Sequence, residues 1–157
     1  MRFGGIVLAV VLLAGAPALA ADEAGVLRLS AEQLAAQDRC EEALPRARRA
    51  RDLAPEDAAA ALVEGRCALR LNLYDRAAEA LEIAQRLDAS IAGLHADLAV
   101  AYFHAGRKRD AGRALDAAEA ESPGDARVPL YRGLLLLDAS ENEAATGGCA
   151  SVTRPTL

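Results

Sequence analysis

Apolar and polar positions follow each other along most of the chain with the spacing of amphipathic α-helices. In the segment YDRAAEALEIAQRL, small and apolar residues recur three or four positions apart, which places them on one face of a helix. Short polar breaks interrupt the pattern at regular intervals, and they contain Asp38, Asn72 and Gly106. Breaks of this kind separate one helix from the next. The pattern therefore predicts pairs of helices joined by tight turns.

The helix pairs repeat, because Ala43, Ala77 and Ala111 follow one another at intervals of 34 residues. Small residues occupy several columns of this repeat, and they let helix backbones approach each other closely. The small columns are Ala31, Gly65, Ala99 and Gly133; Ala43, Ala77 and Ala111; and Ala50, Ala84 and Ala118. We expect these columns to form the contacts between neighbouring helices. Pro55 and Pro123 end the second helix of their copies, since proline cannot donate the next backbone hydrogen bond.

With this period and these columns, the chain resembles a tetratricopeptide repeat (TPR) protein. The copies cover residues 24–57, 58–91 and 92–125, and the first helix of a partial fourth copy covers 126–138. The resemblance implies an all-α fold, a TPR-type α-solenoid in which antiparallel helix pairs form a right-handed superhelix. The repeat domain is predicted to span residues 21–138.

The second helix of the first copy contains two local signals. Asp38 and Glu41 have the spacing of a capping box, which predicts that they begin this helix. Pro45 lies inside the same helix and removes one backbone hydrogen bond. We therefore expect a kink at Pro45 or a helix that begins after the cap.

The first twenty residues have the pattern of an export signal. Arg2 precedes an apolar run at 6–16, and Ala18-Leu19-Ala20 supplies small residues before a cleavage point. We expect cleavage after Ala20 and a periplasmic or secreted protein with no membrane insertion after cleavage. An uncleaved membrane anchor is the alternative. Ala21 stands where a lipoprotein would have cysteine.

The helix VPLYRGLLLLDAS is apolar around its whole circumference at Leu134–Leu137. An all-round apolar helix is normally covered, whereas the end of a solenoid is normally polar. Either a second chain covers this helix in a homodimer, or the sequence is the start of a longer array. Residues 139–157 follow without apolar periodicity, and we predict that they form a disordered tail.

The resemblance assigns certain first-helix residues to a concave groove that binds an unidentified protein or peptide. These residues are Arg28, Glu32, Leu62, Arg66, Leu69, Arg70, Val100, Phe103, His104, Leu130 and Leu134. Arg66 and Arg70 suit carboxylates, and the apolar strip that ends at Phe103 suits an aliphatic or aromatic side chain. Chaperone-binding relatives use a lysine and asparagine clamp. Its asparagine column here reads Glu32, Arg66, Val100 and Leu134, so this specialisation is not supported.

Cys40 and Cys67 are placed by the same resemblance at one edge of the repeat array. A disulfide between them would contribute about 3–4 kcal/mol if their Cα atoms come within roughly 7 Å. Two buried thiols that pack as small apolar groups are the alternative. Cys149 lies in the predicted tail.

The sequence contains no pattern typical of a catalytic, metal or cofactor site. His95 and His104 are the only histidines, and no ligand cluster accompanies them. The net charge is −5, and acidic residues adjoin the basic runs at 46–51 and 107–113, which argues against nucleic-acid binding. We therefore predict a non-catalytic adaptor or scaffold of the cell envelope, without cofactors. The alternative is a structural module that self-assembles through Leu134–Leu137.

Overall fold

The computed structural model describes residues 15–147 of the chain and the side chains of residues 22–140. Every regular element in this part of the chain is an α-helix, so the predicted all-α fold is confirmed. The helices are α1 (Gly15–Ala36), α2 (Cys40–Leu53), α3 (Ala58–Arg70), α4 (Tyr74–Leu87), α5 (Leu94–His104), α6 (Lys108–Glu121) and α7 (Arg127–Gly147).

The helices belong to two compact units, the first ending at Ile91 and the second beginning at Ala92. In the first unit, α1 packs on α2, α2 on α3 and α3 on α4, and α1 also contacts α3. In the second unit, α5 packs on α6 and α6 on α7, and α5 also contacts α7. The odd-numbered helices are the first members of the pairs, and within each unit they lie side by side.

One turn connects the two helices of each pair, and the three turns have the same geometry. Asp38, Asn72 and Gly106 adopt positive φ angles of 63°, 58° and 75°. In each turn the next residue donates its backbone N–H to a carbonyl five residues earlier, as in Arg39 to Leu34 at 2.9 Å. This is the Schellman arrangement, in which a left-handed residue ends a helix. The predicted tight turns are confirmed at all three positions.

The predicted capping box at Asp38 and Glu41 is wrong. Asp38 takes the left-handed conformation that ends α1, and Arg39 stands at the N-cap of α2 without a side-chain cap. An Asp in this conformation belongs to the preceding turn, so its carboxylate is not available to the helix that follows. Helix α2 begins at Cys40 and runs through Pro45, whose ring is exposed.

Alanine forms most of the buried core in both units. Every residue of the small columns is buried except Gly133, which is half-buried. Leu81, Leu94, Leu98 and Leu115 are the largest fully buried side chains. A core of this kind depends on short distances between helix axes more than on large side chains.

The helices at both ends of the described region extend beyond the predicted repeat domain of residues 21–138. Helix α7 continues through Gly147 and so includes the first nine residues of the predicted tail, 139–147, because this segment contains Ala and Glu and no proline. Residues 148–157 lie outside the described residues. Residues 1–14 of the predicted export signal also lie outside them, and α1 runs through the expected cleavage point after Ala20. Among the helices that the structure describes, none is both long and apolar enough to cross a membrane.

Candidate functional site

In the first unit, the predicted groove residues lie on the adjacent helices α1 and α3. Arg28 Nη1 is 2.5 Å from Glu32 Oε1, and its Nε is 3.0 Å from Asp57 Oδ2. The hydrogen bond to Glu32 is the largest of several effects that raise the pKa of Arg28. Arg28 is thus already paired with two carboxylates of the protein itself.

Arg70, also predicted to bind a ligand, connects two helix ends. Its Nη1 donates to the carbonyl oxygen of Ala35 at 2.8 Å and to Asp38 Oδ1 at 2.9 Å. A carboxylate ligand would compete with these contacts. Leu62 and Leu69 are half-buried, and Arg66 is exposed. A binding role for the first-unit residues stays a prediction.

In the second unit, three rings from α5 and α7 contact each other. The ring centres of Phe103 and Tyr131 are 5.3 Å apart, those of Phe103 and His104 are 5.3 Å apart, and those of His104 and Tyr131 are 5.7 Å apart. All three pairs are edge-to-face, the geometry that aromatic quadrupoles favour. His104 Nε2 also lies 3.2 Å from the Tyr131 hydroxyl. We call these three residues the aromatic surface.

The aromatic surface has apolar neighbours along both helices. Val100 lies one turn before His104 in α5, and Leu134 lies about one turn after Tyr131 in α7, so each shares a helix face with a ring of the aromatic surface. Leu130 is 58% exposed, whereas Val100 and Leu134 are half-buried. An apolar side chain of a partner would find ring faces and aliphatic carbon here.

Arg127 anchors the start of α7 on α5. Its Nη1 donates to Asp97, which is buried in α5, and its Nη2 donates to Asp125 Oδ2 at 2.6 Å. The hydrogen bonds from Arg127 lower the pKa of Asp125. Tyr131 follows one turn later, so this anchor helps to hold the tyrosine ring against Phe103.

Tyr131 was missed in the sequence analysis. The groove pattern of the repeat selects Leu130 and Leu134 in this helix and passes over the tyrosine between them. Only five aromatic residues occur in the chain, three Tyr and two Phe, so an aromatic residue in a first helix was the available signal. The contact with Phe103 and His104 depends on how α5 packs on α7, which the repeat pattern does not specify.

Glu64 is a buried carboxylate on α3, where it is 2% exposed. Its Oε2 is 3.0 Å from Arg51 Nη1 of α2 but forms no hydrogen bond. Burial raises the pKa of Glu64, and Arg51, Arg48 and Arg76 oppose this shift. Arginine side chains offset the charge of the Glu64 carboxylate, and the contact with Arg51 helps to join α3 to α2.

Cys40 and Cys67 are free, buried thiols that contact each other by a side-chain hydrogen bond. Burial, followed by the hydrogen bond to Cys40, raises the pKa of Cys67 to about 12. Both thiols are free in this structure, and a disulfide between them stays a prediction. Cys149 lies outside the described residues.

The two histidines have separate partners. His95 Nδ1 is 2.7 Å from Glu121 Oε1, whereas His104 contacts Tyr131. In the described part of the chain, no group of three or more His, Cys, Asp or Glu side chains is placed to hold a metal ion.

Comparison with solved structures shows a TPR-like fold. The second TPR domain of human RPAP3, solved in complex with an HSP70 peptide, is 16% identical with a TM-score of 0.63, over 76% of this chain and 97% of that domain. The Arabidopsis OM64 TPR domain is 13% identical with a TM-score of 0.66, over 76% of this chain and 98% of that one. YrrB, described as a TPR protein with an unusual peptide-binding site, is 20% identical with a TM-score of 0.62, over 71% of this chain and 57% of YrrB.

These identities are low, so the likeness concerns the fold. No protein-family model matches the chain, and no curated protein sequence matches it. The arrangement of helix pairs is TPR-like. Its interaction chemistry has to be derived from the side chains of this protein.

Proposed function

We propose that this protein is a non-catalytic adaptor that binds a protein or peptide segment through its first-helix surfaces. The aromatic surface of Phe103, His104 and Tyr131 carries the proposal. It lies on first helices, which the resemblance to TPR proteins assigns to the concave groove, and it combines apolar rings with one polar pair. TPR neighbours that bind an HSP70 peptide and an HSP90 peptide support an interaction role for the fold.

The proposed ligand is an extended segment with an aliphatic or aromatic anchor residue. Aromatic anchors in apolar contact contribute a large share of binding energy in protein interfaces. A segment that depends on a terminal carboxylate is a weaker candidate. Arg28 and Arg70 are already engaged with Glu32, Asp57 and Asp38, and such a ligand would have to displace these contacts.

Peptides selected from a random display library on the full-length protein provide the probe. Their affinity is measured by fluorescence anisotropy for the wild type and for Phe103→Ala and Tyr131→Ala. We expect each substitution to weaken binding about tenfold or more, the size of an interface hot spot. Leu87→Ala is the matched control, because Leu87 is an apolar residue that is 41% exposed on a second helix.

If both ring variants bind the selected peptides with wild-type affinity, the aromatic surface is not the binding site.

Arg66→Glu tests the predicted contribution of the first unit to binding in the same assay. The acidic peptide SRMEEVD, which binds the first TPR of Spaghetti, serves as the probe for carboxylate recognition.

We infer an exported location from the pattern of residues 1–20. The short positive start, the apolar run and Ala18-Leu19-Ala20 support this inference. Intact-mass analysis of the protein recovered from the periplasm or medium tests it. A chain that begins at Ala21 is expected, and a full-length chain retained in the membrane fraction would contradict cleavage.

A second candidate function is self-assembly through the apolar part of α7. Leu136 is 68% exposed and Leu137 is 61% exposed, and adjacent exposed leucines form an apolar patch of the kind that marks an interaction surface. A second copy of the chain is the proposed occupant. It would cover Leu134–Leu137 with the same face and form a symmetric homodimer.

Sedimentation across protein concentration distinguishes the two functions. The wild type is expected to dimerise, and Leu136→Glu with Leu137→Glu is expected to abolish the dimer. Leu29→Glu is the control, since Leu29 is 51% exposed on α1. A wild type that is monomeric at every concentration rules out self-assembly and leaves the adaptor function intact.

A further inference from the structure

We propose that Cys40 and Cys67 form a dithiol site that a small disulfide compound converts into an intramolecular disulfide, which joins α2 to α3. The two sulfurs come from different helix pairs of the first unit. Cys40 is the first residue of α2, and Cys67 lies in the last turn of α3. Their oxidation would therefore connect the first repeat to the second by a covalent bond.

The contact between the thiols is already present in the folded chain. Cys40 is 3% exposed and Cys67 is not exposed, and the two side chains are hydrogen-bonded to each other. Thiols in direct contact need little backbone movement to reach disulfide geometry. The helices that carry them also pack directly on each other, so the pair is held in place from both sides.

A surface depression gives small molecules a route to Cys40. It has a volume of about 310 Å³ and is lined by Asp38, Arg39, Cys40, Glu41, Glu42 and Leu71. Asp38 is paired with Arg70 and Glu42 with Arg39, so the lining sets no strong charge preference for the reagent. Cys40 lines the depression and Cys67 does not, so Cys40 is taken as the cysteine that reacts first.

The reaction proceeds by two exchange steps. Cys40 loses its proton to water, its thiolate attacks one sulfur of the reagent, the reagent S–S bond breaks, and one thiolate leaves and takes up a proton from water. Cys67 then loses its proton to water, its sulfur attacks the Cys40 sulfur, and the second reagent thiolate leaves. The two protein thiols are oxidised by two electrons, and the reagent disulfide is reduced to two thiols.

Cystamine, a small cationic disulfide, is the probe for the folded full-length protein carrying Cys149→Ser. After reaction, the protein is unfolded, alkylated with iodoacetamide and digested without reductant. We expect a peptide pair linked through Cys40 and Cys67, a loss of two hydrogen atoms in intact mass, and no alkylation of either cysteine. We also expect the Tm to rise on oxidation and to return when dithiothreitol is added.

Two variants keep the result interpretable. Cys67→Ser should stop at a stable cysteamine adduct on Cys40, and Cys40→Ser should leave Cys67 unreacted while the protein is folded. The proposal is overturned if the two-cysteine protein retains both thiols for alkylation, or if it accumulates the Cys40 adduct without forming the linked peptide. Circular dichroism of both variants before reaction confirms that they are folded, so that the covalent masses report on the folded protein.

Discussion

Gly65 of α3 lies so close to Leu81 of α4 that a Cβ atom at position 65 would stand 2.6 Å from Leu81 Cγ. The same atom would be 2.7 Å from Leu81 Cδ2 and 3.2 Å from the Leu81 backbone nitrogen. These distances are shorter than ordinary carbon contacts of about 3.5–4.0 Å. The contact leaves no room for a side chain at position 65 unless Leu81 moves.

Gly65→Ala should destabilise the protein. Overpacking against Leu81 costs roughly 1–3 kcal/mol, and the better helix propensity of alanine returns about 1 kcal/mol. We expect a net loss of up to about 2 kcal/mol in the free energy of unfolding, measured in urea. Gly133→Ala is the control from the same column, because a Cβ there meets nothing within 4 Å. If both variants are stabilised equally, the Leu81 contact is not restrictive.

Gly106→Ala should destabilise the turn between α5 and α6. Gly106 has a φ of 75°, and an L-residue with a side chain pays about 1–2 kcal/mol in the left-handed region. Gly112 lies inside α6, where a Cβ meets nothing within 4 Å, so Gly112→Ala should instead stabilise by about 0.5–1 kcal/mol. Thermal unfolding of the two variants provides the test. If both substitutions change the Tm in the same direction, the prediction is wrong.

The buried carboxylate of Glu64 should make stability fall as pH rises. Burial raises its pKa in the folded protein above the ordinary value of 4.5, so the folded state binds this proton more tightly than the unfolded chain does. Its contribution to the free energy of unfolding is complete below pH 4.5 and is lost as pH rises through the raised pKa. Glu64→Gln should remove this slope.

The pH effect of Glu64 is read as the difference between wild type and variant in urea unfolding at several pH values. Other carboxylates contribute equally to both proteins and cancel in this difference. Glu79→Gln, on the exposed side of α4, should reproduce the wild-type curve. If the free energies of unfolding of wild type and Glu64→Gln change with pH in the same way above pH 4.5, the prediction is wrong.

Closure of the disulfide between Cys40 and Cys67 should accelerate steeply with pH. Only the thiolate attacks, and the pKa of about 12 keeps Cys67 protonated near neutral pH. Burial is the main cause of the raised pKa and persists in the Cys40 adduct, where Cys40 no longer carries a thiol; Asp38 also raises the pKa, and Arg70 lowers it. From about pH 7 to about pH 9, the conversion of the Cys40 adduct should speed up by up to about tenfold per pH unit. Acid-quenched mass spectrometry measures this step, and a pH-independent rate would contradict the assignment of Cys67 as the second sulfur.

The turns and the helix pairs were predictable because their causes are local in sequence. Asp38, Asn72 and Gly106 are residue types that tolerate positive φ, and each follows a helix whose apolar spacing ends there. The capping box failed for a related reason. The same Asp38 can cap a following helix or end a preceding one, and the local pattern does not distinguish the two.

The candidate site was only partly predictable. The repeat register placed Phe103, His104 and Arg70 on first helices, but it did not indicate that Arg70 binds Asp38 and the Ala35 carbonyl. It also passed over Tyr131. A register states which face of a helix a residue occupies, and it says nothing about which long side chain reaches which neighbour.

The sequence by itself determined the helical period, the turn positions and the small columns, because backbone conformation and side-chain size at each position favour one arrangement. Only the tertiary structure decided that Leu81 packs against Gly65, that Cys40 contacts Cys67 and that Tyr131 contacts Phe103 and His104. Those contacts join residues of different helices, and their formation depends on the distance and rotation at which the helices pack.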